Sequence, residues 1–279
     1  MSTDYRKSLA MYEVRLREEE RSRGTIEKYM RDIRNFLKFL NGRELTKDVV
    51  AEWKATLVQD GYAPVTVNSM LAALNGFLRF LGMEDHRVRF LKIQRRIFRD
   101  PAREMTREEY IRLVETATAQ GDQRLALLME TICASGIRVS EVQYITVEAV
   151  RRGRAEIALK GKIRTILLPE RLCRKLLKYA AAKKITSGEI FLTGSGKRLS
   201  RRQIWFEMKR LCKSAGVEKD KVFPHNLRHL FAVCFYRSCR DIARLADMLG
   251  HSSIETTRIY LTTTGTECRQ LLTRLKLVI

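Results

Sequence analysis

The chain has 279 residues, 45% of them hydrophobic and 8% aromatic, which is enough apolar material for one large or two ordinary domains and excludes a disordered protein. Lys and Arg number 54 against 32 Asp and Glu, a formal net charge of +22 that favours a polyanionic partner such as nucleic acid. No apolar run approaches a membrane span of ~20 residues and the charged N-terminus lacks the apolar stretch of a secretory signal, so we expect a cytoplasmic protein with no membrane partner.

The first part of the chain predicts a small all-helical domain. Apolar residues recur at helical spacing over residues 26–40, 49–57 and 67–81, and a charged amphipathic stretch precedes them. Gly42, Gly61 and Gly82 follow these stripes as stop signals, and Pro64 stands at the first turn of the last one. We therefore expect four helices, and we place this domain at residues 1–92.

A second region, rich in arginine, lies between this domain and the rest of the chain. Residues 84–104 show no clean period and include Pro101. We interpret residues 93–104 as an interdomain linker. Its arginines either contact the phosphates of a nucleic acid or belong to a charged tether without such contact. The sequence favours neither interpretation over the other.

Residues 105–279 predict a second domain that is mainly α with a small β-sheet, so the fold class of the chain is α+β. Thr106 and Glu109 have the spacing of a capping box that opens a helical stretch reaching Ser135. Two runs of β-forming residues flank Gly161, as in a hairpin, and residues 189–193 predict a third strand. Further helices follow, with capping-box spacing at three pairs: Ser200 with Gln203, Ser238 with Asp241, and Ser252 with Glu255.

The second domain also contains the side chains that metal-free cleavage of a phosphodiester requires. Such a reaction needs a nucleophile, cations for the charged transition state and an acid for the leaving oxygen. Arginine suits the second task, because its planar fork donates two parallel hydrogen bonds to phosphate oxygens. The candidates occur in three segments, CASGIRVSEV, PHNLRHLFA and LGHSSIETTRIYL, which supply Arg138 with Glu141, His225 with Arg228, and His251 with Tyr260.

Each candidate has a simpler explanation. Arg138 could merely cap a helix end, and Arg228 could be one more charge that follows phosphates. Tyr260 could be an ordinary residue of an amphipathic helix, as we expect of the other eight tyrosines. His225 and His229 stand four apart on a helix, as in a metal-binding pair, but Asn226 replaces the glutamate of a zinc protease and Arg228 would repel the metal. We therefore expect no metal or other cofactor, and we expect His229 to pack in support of the site.

The six cysteines are scattered without a CxxC pair. We interpret them as reduced thiols, mostly in the core, because a cytoplasmic protein of this size has no need of a disulfide framework. They are Cys133, Cys173, Cys212, Cys234, Cys239 and Cys268.

Taken in order, these segments resemble the tyrosine recombinase (phage integrase) family: a first arginine box, a His-x-x-Arg box, an LGH turn and a tyrosine nine residues after its histidine. Residues 1–104 are similar to the core-binding domain of Xer-type recombinases. The resemblance implies that Tyr260 attacks DNA and forms a 3′-phosphotyrosyl bond, with Arg138 and Arg228 holding the phosphate. His225 would then accept or help to place the tyrosine proton, and His251 would orient the nucleophile.

The resemblance also implies a lysine in the β-turn that protonates the leaving oxygen. Lys160 and Lys162 flank Gly161, and either fits from the residues alone. The family pattern favours Lys160. The family further implies a tetramer on double-stranded DNA with inverted half-sites, formed by this chain alone or with a related one. The apolar residues after Tyr260 would dock in trans on a neighbour, although a short terminal helix can equally fold back in cis.

We therefore predict a site-specific recombinase that cleaves and rejoins DNA without a small-molecule substrate. A type IB topoisomerase uses similar chemistry, but the short tail and the Xer-like first domain argue against it. A DNA-binding protein on a silent recombinase scaffold would be expected to lack one of the boxes, and none is missing. A metal-dependent hydrolase is disfavoured because the sequence has no cluster of acidic ligands.

Overall fold

A computed structural model describes residues 5–93, 101–159, 162–251, 253–260, 269 and 272–275. The chain divides into two compact units, Met1–Arg95 and Arg96–Ile279. In the described part of the chain, no helix combines the length and the apolar character of a membrane span.

The first unit consists of the four predicted helices. They are α1 (Tyr5–Glu18), α2 (Arg23–Leu40), α3 (Lys47–Gln59) and α4 (Pro64–Phe80). The side chains of Ser22 and Thr46 accept hydrogen bonds from backbone amides at the starts of α2 and α3, and Pro64 is the first residue of α4. The starts of α2, α3 and α4 are therefore each formed by a residue suited to that position.

The apolar stripes of these helices meet in two core clusters, and the partly buried Leu37 packs against both. Phe36 and Trp53 pack edge to face with their ring centroids 5.2 Å apart, and Leu74 and Phe77 of α4 are fully buried. The chain after α4 is held against the same unit by two amide side chains. Asn75 exchanges hydrogen bonds with the backbone of Val88, and Asn68 does so with that of Leu91.

The second unit is built from eight α-helices and one hairpin among its described residues. The helices before the hairpin are α5 (Arg107–Ala119), α6 (Gln123–Ser135) and α7 (Val147–Arg151). Those after it are α8 (Glu170–Ala182), α9 (Arg201–Ala215), α10 (Pro224–Cys239), α11 (Ile242–Leu249) and α12 (Ile254–Arg258). Short 3₁₀ turns cover Pro101–Arg103, Val139–Tyr144 and Lys219–Lys221 in this unit, and Glu84–His86 in the first.

Helix α6 is the centre of this unit. Its residues Leu125–Met129 and Ile132 are almost completely buried, and it packs against α5, α8, α9 and α10. A helix buried on nearly every side positions its ends rigidly. Its C-terminal end leads directly into the segment that carries Arg138.

The hairpin is the one sheet among the described residues. Strands β1 (Arg154–Leu159) and β2 (Lys162–Leu167) pair antiparallel, with Arg154 opposite Leu167 and Leu159 opposite Lys162. The predicted third strand at residues 189–193 was wrong. Glu189 and Leu192 form only isolated bridges, with Thr146 and Arg198. Ile190 and Phe191 are buried in the helical core, so their apolar character reflects core packing.

Two of the predicted caps also differ from the structure. Thr106 and Glu109 form the full capping box of α5, and Ser200 caps α9. Ser238, however, lies inside α10, and Asp241 caps α11 in its place. Ser253 caps α12, while Ser252 lies outside the described residues. The Asp241 side chain accepts a hydrogen bond from the backbone amide of Arg244, and the Ser253 side chain accepts one from that of Glu255. The capping residue therefore lies closer to the helix than the spacing rule predicted.

Candidate active site

The first arginine follows a helix end that only glycine can form. Gly136 ends α6 in the left-handed region, with φ of +64°. A Cβ at this position would lie 2.4 Å from Cδ1 of Phe231 on α10. The close approach of the two helices thus places Arg138 beside α10. Its backbone N–H and its Nη1 donate to the two carboxylate oxygens of Glu141, at 2.8 and 2.9 Å.

Helix α10 carries the second arginine on the same face as His225. Pro224 is the first residue of this helix, a position at which proline lacks no hydrogen bond that the helix needs. Arg228 is only 2% exposed, and it donates through Nη1 to the carbonyl of Gly136 and through Nη2 to that of Leu249, the latter at 2.7 Å. Backbone carbonyls therefore hold this buried guanidinium without neutralising it.

The LGH turn at the end of α11 supplies the second of these carbonyls, that of Leu249. Gly250 has φ of +62° and ends the helix, leaving the carbonyls of its last turn without intrahelical partners. Leu249 accepts from Arg228, and the Gly250 carbonyl accepts from Nη2 of Arg138 at 3.2 Å. Because the C-terminal end of a helix carries partial negative charge, it suits two cationic side chains.

His251 connects this turn to both Arg228 and α12. Its Nε2 lies 3.0 Å from Nη2 of Arg228, and its Nδ1 lies 2.9 Å from Oγ1 of Thr257. A guanidinium can only donate, so Nε2 must accept and the proton of the neutral ring must sit on Nδ1, where it donates to Thr257. Thr257 is fully buried, and its hydroxyl therefore fixes the orientation of the imidazole.

Tyr260 packs between two histidine rings. Its side chain is buried, its ring is nearly parallel to that of His251 at a centroid distance of 5.9 Å, and the ring of His229 lies 5.1 Å away. The phenol also interacts with the Arg228 guanidinium. The segment IETTRIYL, preceded by capping-box spacing, predicts a helix that includes Tyr260, and this prediction was wrong by two residues. Helix α12 ends at Arg258, and Tyr260 follows in a turn whose amide bonds to Thr257.

His229 approaches the segment that precedes α5. Its Nε2 lies 3.2 Å from Oε1 of Glu104, an ion-pair distance without the angle of a hydrogen bond. The neighbouring Asn226 donates to the carbonyls of Arg103 and Lys221. His229 thus lies between an acidic residue and the ring of Tyr260, in accordance with the supporting position expected for it.

A third arginine lies at the site that the sequence interpretation missed. Arg164 of β2 donates from Nη1 to the Leu249 carbonyl at 2.6 Å and lies 3.5 Å from the Glu141 carboxylate. One signal pointed to it. Side chains alternate between the faces of a strand, and Arg164 shares its face with the buried Ile166. An arginine on the inward face of a hairpin implies an internal partner.

Burial and neighbouring positive charges lower the pKa of both histidines and of Arg164. Burial, together with Arg228, His229 and Arg138, lowers the pKa of His225. Burial and the same arginines lower the pKa of His251 to about 4. Burial, with Arg228 and Arg138 nearby, lowers the pKa of Arg164 to about 10. At neutral pH both histidines are therefore neutral and all three arginines charged, which makes the site a receptor for an anion.

Two predicted features cannot be followed in the described residues. Lys160 lies outside them, and so does the side chain of Lys162, although Lys162 begins β2. Most of the segment after Tyr260 also lies outside them, and with it the choice between cis and trans docking. Among the described residues, no group of three or more histidine, cysteine, aspartate or glutamate side chains is arranged to hold a metal ion.

Comparison with known families assigns both units of the chain. Residues 103–266 match the model of the phage integrase family, and residues 9–85 match the phage integrase N-terminal SAM-like domain. The chain belongs to the phage integrase family of tyrosine recombinases. It is thus a site-specific recombinase, as its sequence predicts, and its mainly α fold with a small sheet is confirmed.

Curated relatives and solved structures agree with this assignment. The chain is 30% identical to tyrosine recombinase XerA of Thermococcus kodakarensis over 96% of this chain and 94% of the relative. It is 30% identical to tyrosine recombinase XerC of Roseiflexus castenholzii, over 86% and 83%. The fold is similar to that of a lambda integrase tetramer bound to a Holliday junction, with a TM-score of 0.74, 19% identity and coverage of 93% and 77%. It also resembles XerH bound to its difH substrate, with a TM-score of 0.69, 20% identity and coverage of 88% and 78%.

Proposed function

We propose that this recombinase cleaves double-stranded DNA with Tyr260 as nucleophile, and that Arg138, Arg228, His225, His251 and Lys160 complete its active site. The observation that supports this assignment best is the meeting of Arg138, Arg228 and His251 at one turn, with the Tyr260 ring stacked on His251.

The proposed reaction exchanges one phosphate ester for another. The Tyr260 oxygen loses its proton and bonds to phosphorus, while the bond from phosphorus to the 5′-oxygen of the next nucleotide breaks. That oxygen takes up a proton and leaves as a hydroxyl, and a 3′-phosphotyrosyl ester remains. Attack by the 5′-hydroxyl of a partner strand reverses these steps. Since one ester replaces another, the energy of the bond is retained and no nucleotide cofactor is required.

The arginines and histidines have separate tasks in this reaction. Arg138 and Arg228 donate to the non-bridging oxygens, on which negative charge accumulates in the transition state. A free phenol has a pKa of ~10, so it needs a base or nearby positive charge to react at neutral pH. His225 is suited to accept the proton, because its lowered pKa keeps it neutral. His251 is held by Arg228 and Thr257 and orients the nucleophile.

Lys160 is proposed as the acid for the leaving oxygen, with Lys162 as its competitor. In sequence, Lys160 follows β1 and Lys162 begins β2, and β2 also carries Arg164, whose guanidinium contacts the LGH turn. The hairpin is therefore anchored beside the arginines at a point close to its turn. Separate Lys160→Ala and Lys162→Ala variants distinguish the two residues. The acid is the one whose loss is rescued by a DNA substrate with a 5′-sulfur leaving group, because a thiolate leaves without protonation.

The proposed substrate is a DNA duplex with two inverted half-sites, bound by four copies of this chain or by this chain with a related recombinase. The large positive charge supports a polyanionic partner. Tetrameric and dimeric assemblies on DNA are described for lambda integrase. The cytoplasmic location predicted from the sequence belongs to the same proposal.

The test begins with a variant that binds but does not cleave. Tyr260→Phe is used to select binding sites from a random duplex library, and the selected sequence is then nicked next to the cleavage position so that cleavage becomes irreversible. We expect wild-type protein, in EDTA, to form a protease-sensitive covalent adduct with this duplex. We expect no adduct with Tyr260→Phe, and we expect exchanged strands when two intact sites are supplied.

The variants Arg138→Ala and Arg228→Ala should retain DNA binding and lose cleavage. An adduct that persists in Tyr260→Phe, or its absence in the wild type, would refute the proposal. An adduct without exchanged product would indicate a topoisomerase, and a dependence on divalent metal would indicate a hydrolase. A loss of DNA binding as large as the loss of cleavage would contradict the roles given to the two arginines.

A further inference from the structure

Arg164 is a largely buried cation that the proposed reaction does not use. Its side chain is 12% exposed, and it shares the inner face of the hairpin with Ile166. It lies close enough to Arg138 and Arg228 for both to lower its pKa. Placing a third guanidinium beside two others costs free energy in desolvation and in repulsion. An apolar side chain would fill this position without that cost, so the contacts of the guanidinium need an explanation.

Those contacts join the two arginines of the proposed phosphate clamp. Nη1 of Arg164 donates to the carbonyl of Leu249 at 2.6 Å, and Nη2 of Arg228 donates to the same oxygen at 2.7 Å. The same Nη1 lies 3.5 Å from Oε1 of Glu141, the oxygen that accepts from Nη1 of Arg138 at 2.9 Å. Arg164 therefore shares one acceptor with each arginine of the clamp.

The turn before His251 is shaped around this side chain. A Cβ on Gly250 would lie 2.3 Å from Cδ and 2.9 Å from Nε of Arg164. The backbone at position 250 can lie this close to the arginine stem because glycine has no Cβ. Since Gly250 also accepts from Arg138, displacement of Arg164 would move an acceptor of the clamp directly.

We propose that Arg164 is a positioning residue for DNA cleavage, which holds Arg138 through Glu141 and Arg228 through the Leu249 carbonyl in one fixed geometry. The inference rests on the proposed roles of those two arginines. Arg164 also connects β2, which follows the lysine-bearing turn, to the turn that carries His251. One side chain thereby couples the hairpin to the phosphate clamp.

The test compares two substitutions of Arg164 with a control on the same hairpin. Arg164→Met keeps the aliphatic stem and removes every donor, while Arg164→Lys keeps the charge on a single ammonium that cannot present a planar fork. Arg154→Ala is the control, because Arg154 lies on β1 and is 56% exposed beside Glu156. The rate of adduct formation is measured at saturating protein on the nicked duplex, together with DNA affinity and melting temperature.

We expect Arg164→Met to slow cleavage about 100-fold, the loss typical of a small misplacement of catalytic groups. DNA affinity and melting temperature should stay close to wild type. Arg164→Lys should recover part of the rate, and Arg154→Ala should cleave normally. In a Arg138→Lys background, Arg164→Met should cost much less, because a positioning residue acts through the group that it positions.

Three results would overturn the inference. The first is an unchanged cleavage rate in Arg164→Met, and the second is a loss of DNA affinity in this variant as large as its loss of cleavage. The third is that Arg164→Met slows cleavage by the same factor in the Arg138→Lys background as in the wild type. If Arg164→Met does not fold, Arg164→Lys is judged by the same criteria. A wild-type protein that forms no adduct would refute the proposed function, whereas a wild-type adduct with normal cleavage by the Arg164 variants would refute only this inference.

Discussion

Replacing Glu141 with glutamine should lower the stability of the second unit, and bound DNA should restore part of the loss. Glu141 is 2% exposed and accepts from the backbone amide and Nη1 of Arg138, with Nη1 of Arg164 also close to the carboxylate. Glutamine keeps the shape of the side chain but removes its charge. Breaking a buried ion pair costs about 3–5 kcal/mol, and we expect the lower end of this range because the Arg138 side chain is 41% exposed.

For a unit of this size, a loss of about 3 kcal/mol lowers the melting temperature by about 6–12 °C. Thermal unfolding followed by circular dichroism measures this shift. Phosphate oxygens supply the acceptors that the variant lacks, so the deficit should shrink when DNA is bound. Glu156→Gln is the control, since Glu156 is exposed on the same hairpin and pairs only weakly with Arg154. Equal melting temperatures for the two variants would refute the idea that Glu141 balances the charge of the site.

Three further predictions follow from the geometry of the site. The folded-state pKa of His251, about 4, lies below its unfolded value of 6.5, so the unfolded chain binds more protons between these values. The free energy of unfolding should therefore fall as the pH drops from 6.5 towards 4. Chemical denaturation at several pH values should show this fall, and a less steep one in His251→Asn. Thr257→Val should slow adduct formation about tenfold with unchanged DNA affinity, because the Nδ1 proton of His251 loses its acceptor. Gly136→Ala should cost about 1–3 kcal/mol more than Gly216→Ala, since both glycines have positive φ but only Gly136 faces Phe231.

Each of these predictions has a clear contrary result. A histidine resonance of His251 that titrates at or above 6.5 would show that the ring is not held neutral. A normal cleavage rate in Thr257→Val would show that the hydroxyl does not orient the imidazole. Equal losses of stability in Gly136→Ala and Gly216→Ala would show that Phe231 moves aside at little cost.

Local sequence patterns were sufficient for most of the fold. The helices of the first unit follow from apolar spacing and from residues such as Thr46 and Pro64, whose effect acts within one turn. The pairing of Arg138 with Glu141 was also visible, because residues three apart lie close together at a helix start. These features depend on neighbours in sequence, and this is why they could be predicted.

The failed predictions each depended on contacts that spacing does not encode. The apolar character of residues 189–193 was taken for a strand, although Phe191 is buried by helices. Ser238 has the right spacing for a cap, but α10 continues past it until Arg240 adopts a left-handed conformation.

The contacts between the site residues were beyond a sequence argument for a different reason. Arg228 reaches the carbonyl of Gly136, which lies 92 positions away, and Arg164 reaches that of Leu249 across 85 positions. Backbone carbonyls are present at every residue, so the sequence carries no mark of the few that become acceptors. The family resemblance placed the reactive residues in order, but it did not indicate what holds them.

The use of carbonyls as partners has a consequence for how this active site can fail. A side-chain partner can be deleted by a single codon change, but the oxygens of Leu249 and Gly250 persist whatever residue stands there. Mutations at positions 249 and 250 therefore damage the site by changing the backbone conformation of the turn, and not by removing the acceptor itself. A deep mutational scan should find position 249 tolerant of other apolar residues of similar size and position 250 intolerant of all.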